Sequence, residues 1–294
     1  MSRSIDRREF LKLAGLGGVV LVSGGVTAAG SSAAAADDFY FVQLSDPHWG
    51  FEGPENPDSA GTLKKAVAAV NSLKQPPDFI VFTGDLTHTT EDGGVRRKRL
   101  GEFRAIASEL KVKDVKFMPG EHDASLDRGK AFQEFFGATH YTFDHKGVHF
   151  IAIDNVSDPG ASIGDEQLAW LAADLERQSP DARIVVLTHR PLFPLYPQWD
   201  WATTDGAKAI ALLQTRENVT VFYGHIHQEH HFMTGKIAHH AAKGLMFALP
   251  APGSQLKRTP VPWDPATPYK GLGFREIEAE AAPPRYPISE LSVV

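Results

Sequence analysis

The stretch that decides the fold is Phe79-Ile80-Val81-Phe82-Thr83-Gly84-Asp85. Four β-branched or aromatic residues in succession form a short run of the kind buried inside a sheet. A glycine and a carboxylate end it abruptly. Four more runs repeat the arrangement. Phe39 to Leu44 leads into Ser45-Asp46-Pro47-His48, and Val115 to Met118 into Pro119-Gly120-Glu121-His122-Asp123. Arg183 to Leu187 leads into Thr188-His189, and Val219 to Tyr223 into Gly224-His225-Ile226-His227. One such end reads as a turn or a cap. Five together predict a site, because ionisable groups at buried strand edges are costly unless they bind something.

Helical spacing fills most of the gaps. Gly61 to Leu73 repeats apolar residues at Leu63, Ala66, Val67 and Val70, and Asp165 to Gln178 does so at Leu168, Trp170, Leu171 and Leu175, with Asp165 as the expected N-cap. Phe103 to Leu110 and Ala131 to Phe136 predict further helix pieces, and Tyr141 to Asp144 with Val148 to Ile153 predict a hairpin around His145-Lys146-Gly147. Alternating strands and helices predict a layered α/β fold with its site at the carboxyl ends of the strands.

Composition narrows the chemistry. At 294 residues, 42% hydrophobic and 22% charged, the chain has the make-up of a globular protein with a substantial core, not of collagen, low-complexity disorder or a polytopic membrane protein. A net charge of −6 gives no whole-chain electrostatic case for nucleic-acid binding. The absence of cysteine excludes a disulfide framework, a thiolate zinc site and a cysteine nucleophile, so any metal must be held by histidine and carboxylate, and there are 13 histidines.

Residues 1–36 read as an address. Asp6-Arg7-Arg8-Glu9-Phe10-Leu11-Lys12 precedes an uncharged stretch from Leu13 to Gly30 and a small-residue end at Ala33 to Ala36. The paired arginines before Phe-Leu-Lys resemble a twin-arginine (Tat) signal. Six glycines between Leu13 and Gly30 argue against a stable membrane span. The expected organisation is a Tat-type signal over 1–36 and one domain over 37–294, with a proline-rich tail from about 250 carrying one late strand near Phe274 to Ala279. The expected location is periplasmic or secreted in a bacterium, with the Tat export machinery as a partner.

Asp46, His48, Asp85, Glu121, His122, His189, His225 and His227 are too many ligands for one tetrahedral ion. Two ions, roughly 3.5–4 Å apart and sharing a carboxylate, would use them. Asp85 is the natural bridge, because Gly84 allows a close backbone approach. Water between two cations ionises near neutral pH, and the same cations can grip a phosphate.

In that distributed pattern the chain resembles the calcineurin-like metallophosphoesterase family: Asp46-x-His48, Gly84-Asp85, Gly120-Glu121-His122-Asp123 where the family has Gly-Asn-His-Asp/Glu, a lone His189, and Gly224-His225-x-His227. The resemblance implies a four-layer α/β/β/α sandwich of two mixed sheets. It implies a first metal on Asp46, His48, Asp85 and His227, and a second on Asp85, position 121, His189 and His225. His122 would protonate the leaving oxygen or stabilise the phosphoryl charge, with Asp123 holding its other ring nitrogen. The implied activity is hydrolysis of a small phosphomonoester or phosphodiester by a metal-bridging hydroxide, with iron, zinc or manganese as the metal. Glu121 departs from the usual Asn. Its extra negative charge predicts altered metal binding, suited to a trivalent ion such as Fe³⁺. The alternative is a periplasmic metal-binding protein on the same fold whose hydrolysis is altered or lost through Glu121.

Weaker candidates surround this set. Trp49 and Arg190 each follow a ligand and are candidate substrate contacts, Arg190 either gripping phosphate or forming an ion pair. His88 stands where purple acid phosphatases carry a metal-bound tyrosine, so it is an extra ligand, a substrate contact or a loop histidine. The aromatic loop Phe193 to Trp201 either stacks on substrate or packs on the sheet edge. His230, His231, His239 and His240 read as solvated hairpin histidines, with a secondary metal site as the other reading, and Arg96-Arg97-Lys98-Arg99 reads as a solvated helix face.

Overall fold

A computed structural model describes residues 37–282 and 284–293. The predicted signal lies outside the described residues. Among the described residues no helix is long and apolar enough to cross a membrane.

All five predicted runs are strands: β1 (Phe39–Leu44), β2 (Phe79–Thr83), β3 (Val115–Met118), β6 (Arg183–Leu187) and β7 (Asn218–Tyr223). The hairpin is β4 (Tyr141–His145) and β5 (Val148–Ala152), a second is β8 (His230–Thr234) and β9 (Ile237–Ala241), and the tail supplies β10 (Gly273–Ala279) and β11 (Ile288–Ser292). They form two mixed sheets, β11-β10-β1-β2-β3 and β4-β5-β6-β7-β9-β8. The tail therefore carries two strands rather than one. β10 runs antiparallel to β1 (Phe41 opposite Ile277), and β11 pairs outside it as the edge strand on that side.

Strand alternation explains the layers. Phe39, Phe41, Phe79 and Val81 turn inward to meet Phe150, Ala152, Val185, Leu187 and Phe222 of the second sheet. Phe41 and Phe79 stack at 4.9 Å, and the Phe150 ring stands edge-on to both. The alternate residues Tyr40, Val42, Leu44, Ile80 and Phe82 face the opposite way. They bury the apolar stripe of α1 (Ser59–Asn71) and Phe103 and Ile106 of α2 (Gly93–Ala107). Ile151, Ile184, Val186 and Val221 do the same for α5 (Asp165–Arg177) and α6 (Gly206–Leu213). The result is the expected α/β/β/α sandwich. Two short helices, α3 (Glu121–Ala124) and α4 (Lys130–Phe136), follow β3.

Three local expectations change. The Phe103–Leu110 piece is the end of α2, which starts at Gly93 because Asp92 accepts from the backbone N–H groups of Gly94 (2.7 Å) and Val95 (2.9 Å). Asp165 is not the N-cap of α5. Gly164 holds that position, with the Asp205 carboxylate accepting from the N–H of Ile163 and Gly164. Within the basic run Arg97 and Lys98 are exposed, but Arg96 is buried and paired with Asp127 at 2.8 Å.

Candidate metal centre

β1, β2, β3, β6 and β7 end at one edge of the sandwich, so loops from both sheets meet there. Backbone hydrogen bonds tie the loops together: Asp46 N–H donates to the Gly84 carbonyl (3.1 Å), His48 N–H to Asp85 (2.9 Å) and Gly224 N–H to His189 (3.0 Å). Asp46, His48, Asp85, His225 and His227 all have left-handed backbones, with φ between 41° and 66°. That conformation costs a non-glycine residue about 1 kcal/mol or more, so five in one cluster mark a geometry imposed by the surrounding fold. Gly84, at φ 100°, packs where a Cβ would strike the His189 ring and the Pro119 carbonyl.

The predicted ligands converge into two groups. Asp46, His48 and His227 form one and Asp85, Glu121, His189 and His225 the other. In the first, His227 Nε2 lies 3.1 Å from His48 Nε2 and 3.3 Å from Asp46 Oδ1. In the second, Glu121 Oε2 lies 2.9 Å from His189 Nε2, and Glu121 Oε1 lies 3.0 Å from His225 Nδ1. Asp85 Oδ2 sits between them, 3.5 Å from His48 Nε2 and 3.4 Å from His189 Nε2. Six of the seven residues are buried, and Glu121 is nearly so.

Backbone carbonyls fix the imidazoles. His189 Nδ1 lies 2.7 Å from the Thr83 carbonyl, His227 Nδ1 2.6 Å from Phe247, and His225 Nε2 2.9 Å from Asp200. A carbonyl only accepts, so each of those nitrogens carries the proton and the other presents a lone pair to the cluster. Glu121 Oε2, His189 Nε2 and His225 Nδ1 are accordingly buried with no hydrogen-bond partner. Lone pairs packed this closely repel unless a cation lies among them. In the metal-free protein a proton takes that part. Burial opposes charge on His189, but Asp85 and Glu121 overcome it and hold its pKa well above the usual value. Burial also raises Glu121, but His225, His189 and Arg190 win and hold it well below the ordinary carboxylate range. Asp85 is likewise held low by His189, His122 and His48, against burial and Glu121. An oxygen and imidazole donor set of this kind fits zinc, iron or manganese.

Glu121 has a compensating neighbour. Arg190 Nη2 lies 3.8 Å from Glu121 Oε2, and the Arg190 side chain is almost wholly buried. Its Nη1 is 2.6 Å from Asp200 Oδ1 and donates to the Asp200 carbonyl (2.9 Å). Arg190 thus forms an ion pair, the other reading of this residue, while its Nε has no partner. Its charge offsets part of the charge Glu121 adds.

His122 stands at the rim with a 22% exposed side chain, its Nε2 3.9 Å from Asp85 Oδ2. The expected His122–Asp123 pairing is absent. Asp123 is buried and turned back into the loop, where it accepts from the N–H groups of Leu86 (2.9 Å), Thr87 (2.8 Å) and Gly120 (2.9 Å) and from the Thr87 hydroxyl (2.9 Å). Its lone pairs are used in fixing the loops after β2 and β3. Burial and the Asp85 charge push its pKa up to about 7. His122 Nδ1 is held by Thr89 instead, accepting from the backbone N–H at 3.1 Å with the hydroxyl at 2.6 Å. An N–H donor requires a lone pair on Nδ1, so the His122 proton sits on Nε2, facing the cluster. No sequence motif signals Thr89, because the contact depends on where the loop after β2 passes.

The other candidates divide. His88 is at the centre: its ring stacks on His122 at 5.0 Å and its Nδ1 lies 3.5 Å from His48 Nδ1. Trp49 is not turned to the cluster. Its indole N–H donates to Glu102 (3.0 Å) and its ring packs against the α1/α2 core. Trp199 and Trp201 are buried in a cluster with Tyr223 and Ile226, so the aromatic loop packs as core. That loop also supplies the Asp200 carbonyl that fixes His225.

Residues 39–229 match the calcineurin-like phosphoesterase family. Among curated proteins, a probable glycerophosphodiester phosphodiesterase of Arcobacter nitrofigilis is 29% identical over 163 residues, covering 51% of this chain and 56% of the relative. A probable cyclic nucleotide phosphodiesterase of Rhodococcus erythropolis is 29% identical over 163 residues, covering 52% of each chain. The match thus spans about half the length of these relatives. Among solved structures, a dimetal phosphatase from Danio rerio superposes with a TM-score of 0.59 at 15% identity, covering 87% of this chain and 96% of that one, a likeness of fold.

Proposed function

The chain belongs to the calcineurin-like phosphoesterase family, and from that premise we propose that it is a metal-dependent phosphoester hydrolase acting on small-molecule esters. The supporting observation is the trio of buried, unpartnered atoms, Glu121 Oε2, His189 Nε2 and His225 Nδ1, aimed at one another beside Asp85. Asp46, His48, Asp85 and His227 would hold one ion, and Asp85, Glu121, His189 and His225 the other. When bound, the metal pair supplies an activated water and charge stabilisation for the phosphoryl group. The side chains supply the rest. Thr83, Phe247 and Asp200 carbonyls keep three imidazoles in the ligating tautomer. His122, with its proton on Nε2, would donate to the leaving oxygen. His88 stacks on His122 and narrows the space in which that ring can turn.

Arg190 lies near Glu121 but also pairs with Asp200, so it offsets only part of the charge that Glu121 adds. The proposal is a pair of zinc, manganese or iron ions, with the Glu121 charge favouring a trivalent member. It includes export, which rests on the twin-arginine start and the small-residue end of residues 1–36.

The test is metal analysis of the purified protein together with hydrolysis of an activated phosphodiester and a phosphomonoester by wild type, His122→Ala and Glu121→Asn. Turnover by wild type that is lost in His122→Ala with metal retained supports the hydrolase. Bound metal without turnover in wild type and Glu121→Asn alike overturns it in favour of a carrier. The export arm is read by comparing the location of the full chain with that of an Arg7→Lys, Arg8→Lys variant. An unchanged location overturns it.

A further inference from the structure

We propose that the cavity behind Phe247 is a subsite for an aromatic or flat apolar group carried on the phosphoester, and this rests on the hydrolase reading above. Phe247 belongs to two places at once. Its carbonyl accepts from His227 Nδ1 at 2.6 Å, and its ring stacks on His227 (4.6 Å, 27°) and His48 (5.1 Å, 24°). It also lines a cavity of about 340 Å³ whose walls include Val261, Pro262, Trp263, Tyr269 and Leu272. The cavity thus lies one aromatic ring away from two ligands of the first metal group. Its size is that of a small-molecule site, and its walls are mainly apolar and aromatic, with Glu55, Asp264, Thr267 and Lys270 as the polar part of the lining.

The walls are held open by anchors at several points. The Val261 N–H donates to the Ala248 carbonyl (2.9 Å), and Leu272 is buried in the core beneath α1. Tyr269 has φ 61°, an uncommon conformation for an aromatic residue. It is held by its hydroxyl, which donates to Asp58 Oδ2 at 2.6 Å, and by Lys65, whose ammonium lies 2.6 Å from the same oxygen and 5.4 Å from the ring centre. The Trp263 ring stands perpendicular to Tyr269 at 5.0 Å. Asp58 and Lys65 therefore act as positioning residues for the Tyr269 wall. A flat ring entering here would meet π faces and edges on several sides, whereas a small polyol would leave them in contact with water. The aromatic loop Phe193 to Trp201, the sequence candidate for this role, is spent on the core. The ring recognition falls instead to the proline-rich segment.

The test compares 2-phenylethylphosphonate with ethylphosphonate binding to the manganese-loaded protein by calorimetry. The two share a phosphonate for the metal centre and differ in the ring. The phenyl compound should bind wild type about tenfold more tightly. Trp263→Ala, at a half-buried position, and the cavity-filling Val261→Trp, at an exposed one, should each erase that advantage while leaving ethylphosphonate affinity unchanged. Equal affinity of the two compounds for wild type overturns the subsite and leaves the hydrolase reading standing. So does an advantage that survives both variants. If neither phosphonate binds the loaded protein, the metal-centre reading falls, and the subsite falls with it.

Discussion

Two regions of this molecule are rich in histidine, and only one is built to hold metal. At the strand ends, His189, His225 and His227 each commit one ring nitrogen to a backbone carbonyl and aim the other at carboxylates. On the β8–β9 hairpin the histidines pair with one another or with nearby hydroxyls. His239 is buried rather than solvated, its Nδ1 without a partner and without a carboxylate facing it among the described residues. His231 Nδ1 lies 2.7 Å from His240 Nδ1, His239 Nε2 lies 2.7 Å from the Thr234 hydroxyl, and His230 Nδ1 lies 3.1 Å from the Tyr223 hydroxyl. One carboxylate, Glu229, is near His231 at 3.3 Å. Among the described residues the hairpin forms no group of three convergent ligands. The difference teaches that a histidine becomes a ligand through its second nitrogen. Once a carbonyl holds the proton of one nitrogen, the other presents a lone pair, and where carboxylate oxygens surround it a cation is what satisfies them together.

The sharpest break of this comparison is Asp85→Ala, which removes the oxygen shared by both groups. Hydrolysis should fall about a thousandfold or more and the metal content should drop, read by kcat/KM and elemental analysis. Unchanged metal content would show that the two groups do not share Asp85.

Next comes His122→Ala, with an expected loss of about 10²–10⁴ in kcat and metal content unchanged. Loss of metal instead would make His122 a ligand.

Acidity should separate the two regions more gently. His189 keeps its proton above the usual histidine range because Asp85 and Glu121 face it, and a metal must expel that proton. Affinity should therefore weaken as pH falls, about tenfold per unit while one proton is displaced, and level off above the raised His189 value. Calorimetry in buffers of different ionisation enthalpy would register the released proton. An affinity independent of pH from 6 to 8 would contradict it.

Asp123→Asn tests the corrected role of that carboxylate. It should cost about 1–3 kcal/mol of stability by denaturant unfolding, through lost bonds to the loop N–H groups. A change confined to the pH profile of kcat, without loss of stability, would instead return Asp123 to His122.

Smallest of all is His231→Ala on the hairpin, which should leave metal stoichiometry and kcat/KM unchanged. Lost metal there would erase the contrast between the two regions.

Much of the centre was legible because a buried strand that ends in Gly-Asp or Gly-His announces itself locally. Period-two alternation along β1 and β2 also fixed which residues face which layer. At the centre, what the sequence left open or misplaced was partners rather than positions. His122 and Asp123 are adjacent in sequence, yet on a short helix their side chains diverge, one to Thr89 and one to the Leu86–Thr87 backbone. Arg190 follows a ligand but turns to Asp200 and Glu121. Tyr269 and Trp263 belong to an irregular segment with no periodicity to place them.

The chain alone determined the layered α/β architecture, the five ligand-bearing strand ends and the absence of thiolate chemistry. Those properties follow from side-chain type and short-range spacing. Tertiary structure decided which carbonyl fixes each imidazole, that Arg190 offsets part of the Glu121 charge, and that the proline-rich segment rather than the aromatic loop walls the cavity beside Phe247. Those depend on the meeting of groups such as His189 and Thr83, 106 positions apart. Such meetings are set by how two sheets pack, which no local pattern encodes.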